Sequence, residues 1–214
     1  MNDNLFVFNS NITLKCVDFD NIVRKDPRWR LLGRYEPLEE LMFEHVMVQH
    51  KPQTFLNIGS FVGYYVIYAR KLLPSVIVHA IEPEPICRDT FYQNLKLNDI
   101  NESGIIVWPI GIETTQYKEN YSIDKLIESI GDVPDFILMD VQGAELPILR
   151  NMSRIKEVKH WLIGTHATQN THQACLDLLK KNNCNILVEF PPKSAWLQND
   201  GVIWAMNKEY NIEY

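Results

Sequence analysis

Apolar and polar positions alternate along this chain in two different periods, and the switches between them order the elements. Residues 54–58, 76–81, 105–110, 135–140, 158–165, 185–190 and 201–207 are short apolar runs bounded by turn residues, and each reads as a buried strand. Between most of them the apolar residues recur at helical spacing. Leu38, Leu41, Met42, His45, Val46 and Val48 mark a helix from Pro37 to Gln49, with Pro37 suited to its first turn. Further helices are expected over 63–72, 84–98, Ser122–Ser129, 144–151 and 170–182. Two short strands near 5–8 and 12–19 suggest an N-terminal hairpin. Strands that alternate with helices imply an α/β fold, a mostly parallel sheet covered on both faces. The last two strands have only Pro191-Pro192 and a loop between them, so they are expected to pair antiparallel. The reading divides the chain into a 1–32 extension and a 33–214 domain.

The first strand of the alternation, Thr54–Ile58, runs into Gly59-Ser60-Phe61-Val62-Gly63-Tyr64 and then a helix. Glycines there let the backbone approach a ligand and point its N–H groups at it. The next strand ends in Glu82, roughly 20 residues on, where a carboxylate can hold both hydroxyls of a ribose. A nucleotide-type cofactor needs both parts. A dinucleotide loop, G-x-G-x-x-G ending at Gly63, would require glycines at Ile58 and Ser60, so that reading fails twice. The run Asn57-x-Gly59-x-x-x-Gly63 resembles motif I of the class I S-adenosylmethionine (SAM) methyltransferases, acid-x-G-x-x-x-G. SAM has no phosphate and tolerates a less glycine-rich loop.

A third constellation is Asp140-Val141-Gln142-Gly143-Ala144-Glu145, where an apolar strand delivers Asp140 to the carboxyl edge of the sheet. Ligands of open α/β sheets bind at that edge. Glu145 opens the following helix, where negative charge is favoured, which by itself explains an acid there. His166 closes the next strand, and adjacent parallel strands would bring it near Asp140. Asp140 and His166 are therefore the candidate bases for an acceptor hydroxyl, with a hydrogen-bonded structural role the alternative for the histidine. His172 is expected on a helix surface. Asp140 with His166 or Glu145 has the oxygen and imidazole chemistry of a divalent-metal site, but the sequence does not require a metal and none is predicted.

The motifs taken in order resemble the FkbM family of SAM-dependent methyltransferases over residues from about 33 to 207. They are Asn57–Tyr64, Glu82-Pro83-Glu84-Pro85, Asn94-x-x-x-Asn98, Ser122-Ile123-Asp124 and Asp140–Glu145. The resemblance implies a Rossmann-like class I fold, with a seven-stranded sheet, and methyl transfer from SAM to a hydroxyl of a sugar, glycan or related metabolite. It implies cofactor contacts from Asn57, Gly59, Ser60, Gly63, Tyr64, Glu82, Pro83 and Asp140, and from the aromatic–acid pair Tyr35-Glu36 near the methionine end. Catalytic roles fall to Asp140, His166 and Glu145. Three positions depart from the family pattern: Asn57 for Asp, Phe61 for Asn and Gln142 for Glu. Each changes a polar or charged group near the cofactor or the catalytic edge, which leaves a second reading, an inert fold member that binds a metabolite or partner.

Composition narrows the partners. The 214 residues carry 27 acids and 21 bases, a net charge of −6, without the basic footprint of a nucleic-acid binder. The densest basic stretch, Arg24–Arg30, is broken by Asp26 and reads as a solvated connection. Cysteines 16, 87, 175 and 184 have no metal-site spacing and read as free thiols in a reducing, cytoplasmic setting. No apolar run approaches the length of a membrane span and no signal peptide is evident, so membrane insertion is not expected. The loop 191–201, with Trp196, is the candidate lid over an acceptor; Trp161, Trp196 and Trp204 could floor a sugar, but large aromatics near strands are more often core.

Overall fold

The computed structural model describes residues 5–15, 28–166, 168–194 and 200–210, apart from the side chains of Arg28 and Arg30. Cys16, the end of the second expected strand, the basic residues Arg24 and Lys25, and Trp196 lie outside them.

The strands are β1 (Leu5–Val7), β2 (Thr13–Lys15), β3 (Thr54–Ile58), β4 (Ile77–Ile81), β5 (Ile105–Trp108), β6 (Gly111–Ile112), β7 (Asn120–Tyr121), β8 (Phe136–Met139), β9 (His160–Thr165), β10 (Cys184–Phe190) and β11 (Gly201–Asn207). The α-helices are α1 (Pro37–His45), α2 (Tyr64–Leu72), α3 (Pro85–Leu97), α4 (Ile123–Ile130), α5 (Glu145–Asn151) and α6 (Gln169–Lys181). Seven strands form one sheet in the order β10-β11-β9-β8-β3-β4-β5. Five of them run parallel, and β11 pairs antiparallel with both β9 and β10.

The period of two in the strands sorts side chains between the faces. Phe55, Val78, Phe136, Leu138 and Leu162 enter one core with Phe43 of α1, Tyr65 of α2 and Phe91 of α3. Leu56, Ile58, Ile137, Met139, Trp161 and Ile163 enter the other with Leu126 of α4, Ile148 of α5 and Leu176 of α6. Both faces are covered, which is why the strands read as continuous apolar runs.

Boundaries moved where local chemistry dictates. β5 stops at Trp108 because Pro109 has no N–H for the ladder, and the chain turns into the small parallel pair β6–β7, which the sequence pattern did not reveal. The first helix passes into a π-type turn at Val46–His50 and ends at Lys51, whose φ is +46°. Ser122 caps α4 by accepting from the Lys125 N–H, and Thr168 caps α6 from the Thr171 N–H.

The N-terminal strands do form the expected antiparallel hairpin, and they dock on α3 by an unusual device. Asn94 accepts from the Lys15 N–H (2.7 Å) and donates to the Lys15 carbonyl (3.0 Å) and the Val62 carbonyl (2.9 Å). Asn98 does the same to Thr13, at 2.9 and 2.7 Å. Side chains four apart on a helix share a face, as do residues two apart on a strand, so two amides serve as the neighbouring strand that the edge of β2 lacks. The Asn-x-x-x-Asn element is therefore a clamp. It holds Phe8, Ile12 and Leu14 in the same core as Tyr64 and Phe91.

Candidate functional site

The register sets strand ends side by side: Ile58 lies opposite Ile81 and Met139, and Met139 opposite Ile163. Gly59, Glu82 and Asp140 consequently emerge together at the carboxyl edge. They open onto a cleft of about 890 Å³ bounded by Tyr35, Glu36, Pro83, the stretch 110–117 and the turn 140–144.

Gly59 has φ +85°, and a Cβ there would lie 1.9 Å from the Asp140 carbonyl oxygen, so the two strand-end loops can meet only over glycine. Gly63 caps α2 at φ +93° against the Phe91 ring, where a Cβ would fall 2.7 Å from that side chain. Between them Phe61 takes φ +48°, a left-handed conformation that Asn adopts more readily than Phe. Its N–H donates to Glu82 Oε2 at 2.8 Å, and the Glu84 N–H donates to Glu82 Oε1 at 2.9 Å. Glu82 is buried, and burial raises its pKa against the lowering effect of these two N–H groups.

Of the residues expected to hold a cofactor, Tyr35, Glu36, Gly59, Glu82, Pro83 and Asp140 line the cleft. Asn57, Ser60, Gly63 and Tyr64 are not among its lining residues. Asn57 is buried with its amide nitrogen unpartnered, and Ser60 donates to the Ile81 carbonyl. Tyr64 stacks on Tyr35 at 4.4 Å between ring centroids and meets Ser10 Oγ at 2.9 Å, so it backs the aromatic wall. Tyr65 donates to Glu36 Oε2 at 2.9 Å.

The catalytic candidates converge. His166 Nδ1 lies 2.7 Å from Glu145 Oε1, and its Nε2 lies 3.3 Å from Asp140 Oδ1 and 3.7 Å from Asp200 Oδ1. Glu145 is fully buried and also accepts from the Val141 and Gly143 N–H groups at 3.3 and 3.1 Å. Gln142 donates to Asp140 Oδ1 at 3.1 Å and sits 3.0 Å from His166 Nε2. Burial pulls the His166 pKa down, but the Glu145 bond and the charges of Asp140, Glu145 and Asp200 outweigh it and push it up to about 9. Burial, with Glu145 and Asp200, raises Asp140 against the lowering effect of His166. Glu145 is lowered despite burial, by His166 and the N–H groups of Glu145 itself and Gly143. At neutral pH the imidazole is thus charged, which leaves Asp140 as the candidate base of the pair.

Asp200 was not anticipated from the sequence, nor were the acids Glu84 and Glu113 on the cleft wall. The expectation for His172 is corrected. It is fully buried, with Nδ1 2.7 Å from Thr165 Oγ1, because α6 turns that residue onto β9. Trp161 is in the core as expected. Among the described residues no helix is long and apolar enough to cross a membrane.

Comparison with known proteins gives a consistent picture. Residues 106–186 match the model of the Methyltransferase FkbM domain. No curated protein matches the sequence. The ribosomal protein L11 methylase of Lactobacillus delbrueckii subsp. bulgaricus has a similar structure at 18% identity, TM-score 0.57, over 80% of this chain and 77% of that one. The precorrin-6y C5,15-methyltransferase of Geobacter metallireducens GS-15 superposes at 14% identity and TM-score 0.55, over 80% and 87%. The Bacillus cereus O-methyltransferase, solved in complex with SAH, does so at 14% and 0.55, over 82% and 83%. Residues 106–186 are thus similar to the FkbM methyltransferase domain, and the chain has the Rossmann-like fold of the class I SAM-dependent methyltransferases.

Proposed function

We propose that the protein is a SAM-dependent O-methyltransferase acting on a hydroxyl of a sugar, glycan or related metabolite. The observation that carries the choice of cofactor is the charge of the cleft. Glu36, Glu82, Glu84, Glu113 and Asp140 line it, and among the described residues no Lys, Arg or His does. Such a wall suits a sulfonium and an ammonium and opposes the pyrophosphate of a dinucleotide.

When bound, SAM supplies a methyl group already activated on sulfur. The chain's residues do the rest. Glu82, fixed by two backbone N–H groups, is oriented to accept ribose hydroxyls. Glu36 and Asp140 offer charge to the ammonium end. Asp140 would take the proton of an acceptor hydroxyl held in line with that methyl group. Its raised pKa brings it nearer the working range of a base. The imidazolium of His166, held by Glu145, keeps Asp140 in place.

Titration calorimetry with S-adenosylhomocysteine and with NAD tests the reading. Saturable binding of the first and none of the second is expected; tighter NAD binding overturns it.

A further inference from the structure

We propose that the face of His166 turned away from Glu145 is a divalent-cation site, built from His166 Nε2, Asp140 Oδ1 and Asp200 Oδ1. The inference rests on the methyl-transfer reading for its purpose but not for its geometry.

A histidine that ligates a metal through one nitrogen usually donates the other N–H to a carboxylate, which fixes the tautomer and the ring plane. Glu145 does this to Nδ1 at 2.7 Å, and is itself locked by the backbone N–H groups of Val141 and Gly143. Nε2 is thereby aimed at the remaining carboxylates, 3.3 Å from Asp140 and 3.7 Å from Asp200. Two ligand atoms at right angles around an ion, each at about 2.1 Å, stand roughly 3 Å apart. These separations therefore need little closing. Asp140 and His166, with Glu145 behind the ring, have ligand atoms within 4.8 Å of one another, and Asp200, 3.7 Å from Nε2, stands outside that group and must move in to complete the set. Gln142, 3.0 Å from Nε2, can add its carbonyl oxygen once its amide is turned.

Charge gives a second, independent reason. Three carboxylates surround one imidazole, so a proton on the ring leaves negative charge uncompensated; a divalent cation would replace the Nε2 proton that the metal-free chain carries and leave the Nδ1 proton on the Glu145 side. The second oxygen of Glu145, in a fully buried side chain, has no hydrogen-bond partner. A buried carboxylate oxygen left so is costly unless positive charge stands nearby. Imidazole with carboxylate oxygens and no thiolate selects Mg²⁺, Mn²⁺ or Fe²⁺ over soft metals. Asp140 and Gln142 both line the cleft, so an ion held there faces the space for an acceptor. It can position the acceptor hydroxyl and make it more acidic.

The probe is Mn²⁺ added to the metal-stripped full chain, followed by loss of the free-ion electron paramagnetic resonance signal. One ion per chain is expected. Asp200→Ala, at a side chain 42% exposed and so harmless to the fold, should weaken binding at least about tenfold. Glu145→Gln should weaken it roughly 10–100-fold, the usual effect of losing the carboxylate behind a ligating histidine. No saturable binding, or the same affinity in Asp200→Ala, overturns the site. S-adenosylhomocysteine titrated into the same samples separates the two claims. Its binding without Mn²⁺ binding refutes the cation site alone; Mn²⁺ binding without it supports the site and counts against the methyl-transfer reading.

Discussion

Strand β9 carries a histidine at its amino end and another just past its carboxyl end, and the two are in opposite chemistry. His160 is buried beside His50, 4.3 Å between ring centroids, and its Nδ1 has no partner. Burial first, then the neighbouring His50, lowers its pKa to about 3. His166 stands among Glu145, Asp140 and Asp200 and is raised to about 9. One strand thus holds a neutral ring at one end and a charged one at the other. The residue type is the same, so the function of each is set by what the neighbouring elements bring to that edge. At the amino edge β9 meets the rings at the end of α1 and its π-type turn. At the carboxyl edge the turn after β8 and the start of β11 bring carboxylates.

The largest expected effect breaks the carboxyl-edge half of this contrast. Asp140→Asn should cut methyl transfer by about 10²–10⁴, mainly in kcat, with a far smaller loss of S-adenosylhomocysteine affinity from the charge removed at the ammonium end. Steady-state kinetics beside calorimetry decides it, and a loss confined to KM would remove Asp140 from the role of base.

The amino-edge half is tested by acid. His160's folded pKa lies below its ordinary value of 6.5, so its contribution is complete above that pH and is lost as pH falls towards about 3. At pH 4.5 the loss is roughly 2–3 kcal/mol. Urea unfolding at pH 7 and 4.5 should show His160→Gln losing less than the native chain by about that amount; equal losses would contradict the contrast. His166 has the reverse sign, stabilising below 6.5 and losing that contribution as pH rises through about 9.

A smaller effect is expected at Glu82, where Glu82→Ala should weaken S-adenosylhomocysteine at least about tenfold, the loss of charge-assisted bonds to two hydroxyls. Calorimetry with the purified variant measures it, and an unchanged affinity would place the ribose elsewhere.

Legibility in the sequence followed locality. The Gly59 loop, Glu82 and Asp140 each sit at the end of an apolar run, and adjacency of parallel strands was enough to pair Asp140 with His166. Asp200 was hidden because its place depends on β11 returning antiparallel beside β9, with Gly201 opposite Thr165. The Asn94 clamp grips a strand 79 residues away, which no local period reports. The cleft wall over 110–117 follows from Pro109 ending β5, and its residues carry neither period. His172 was misplaced for a related reason: its polar type suggests solvent, while Thr165 gives it a partner inside.

A crystal structure with S-adenosylhomocysteine tests the central claim most directly, that this acid-lined edge is a methyl-transfer site. The ribose hydroxyls are expected on Glu82, and the sulfur close enough to Asp140 that an acceptor oxygen fits within roughly 3–3.5 Å of the transferable methyl. A ligand whose ribose lies away from Glu82, or whose sulfur is more than about 10 Å from both Asp140 and His166 and so out of near-attack reach, would contradict it.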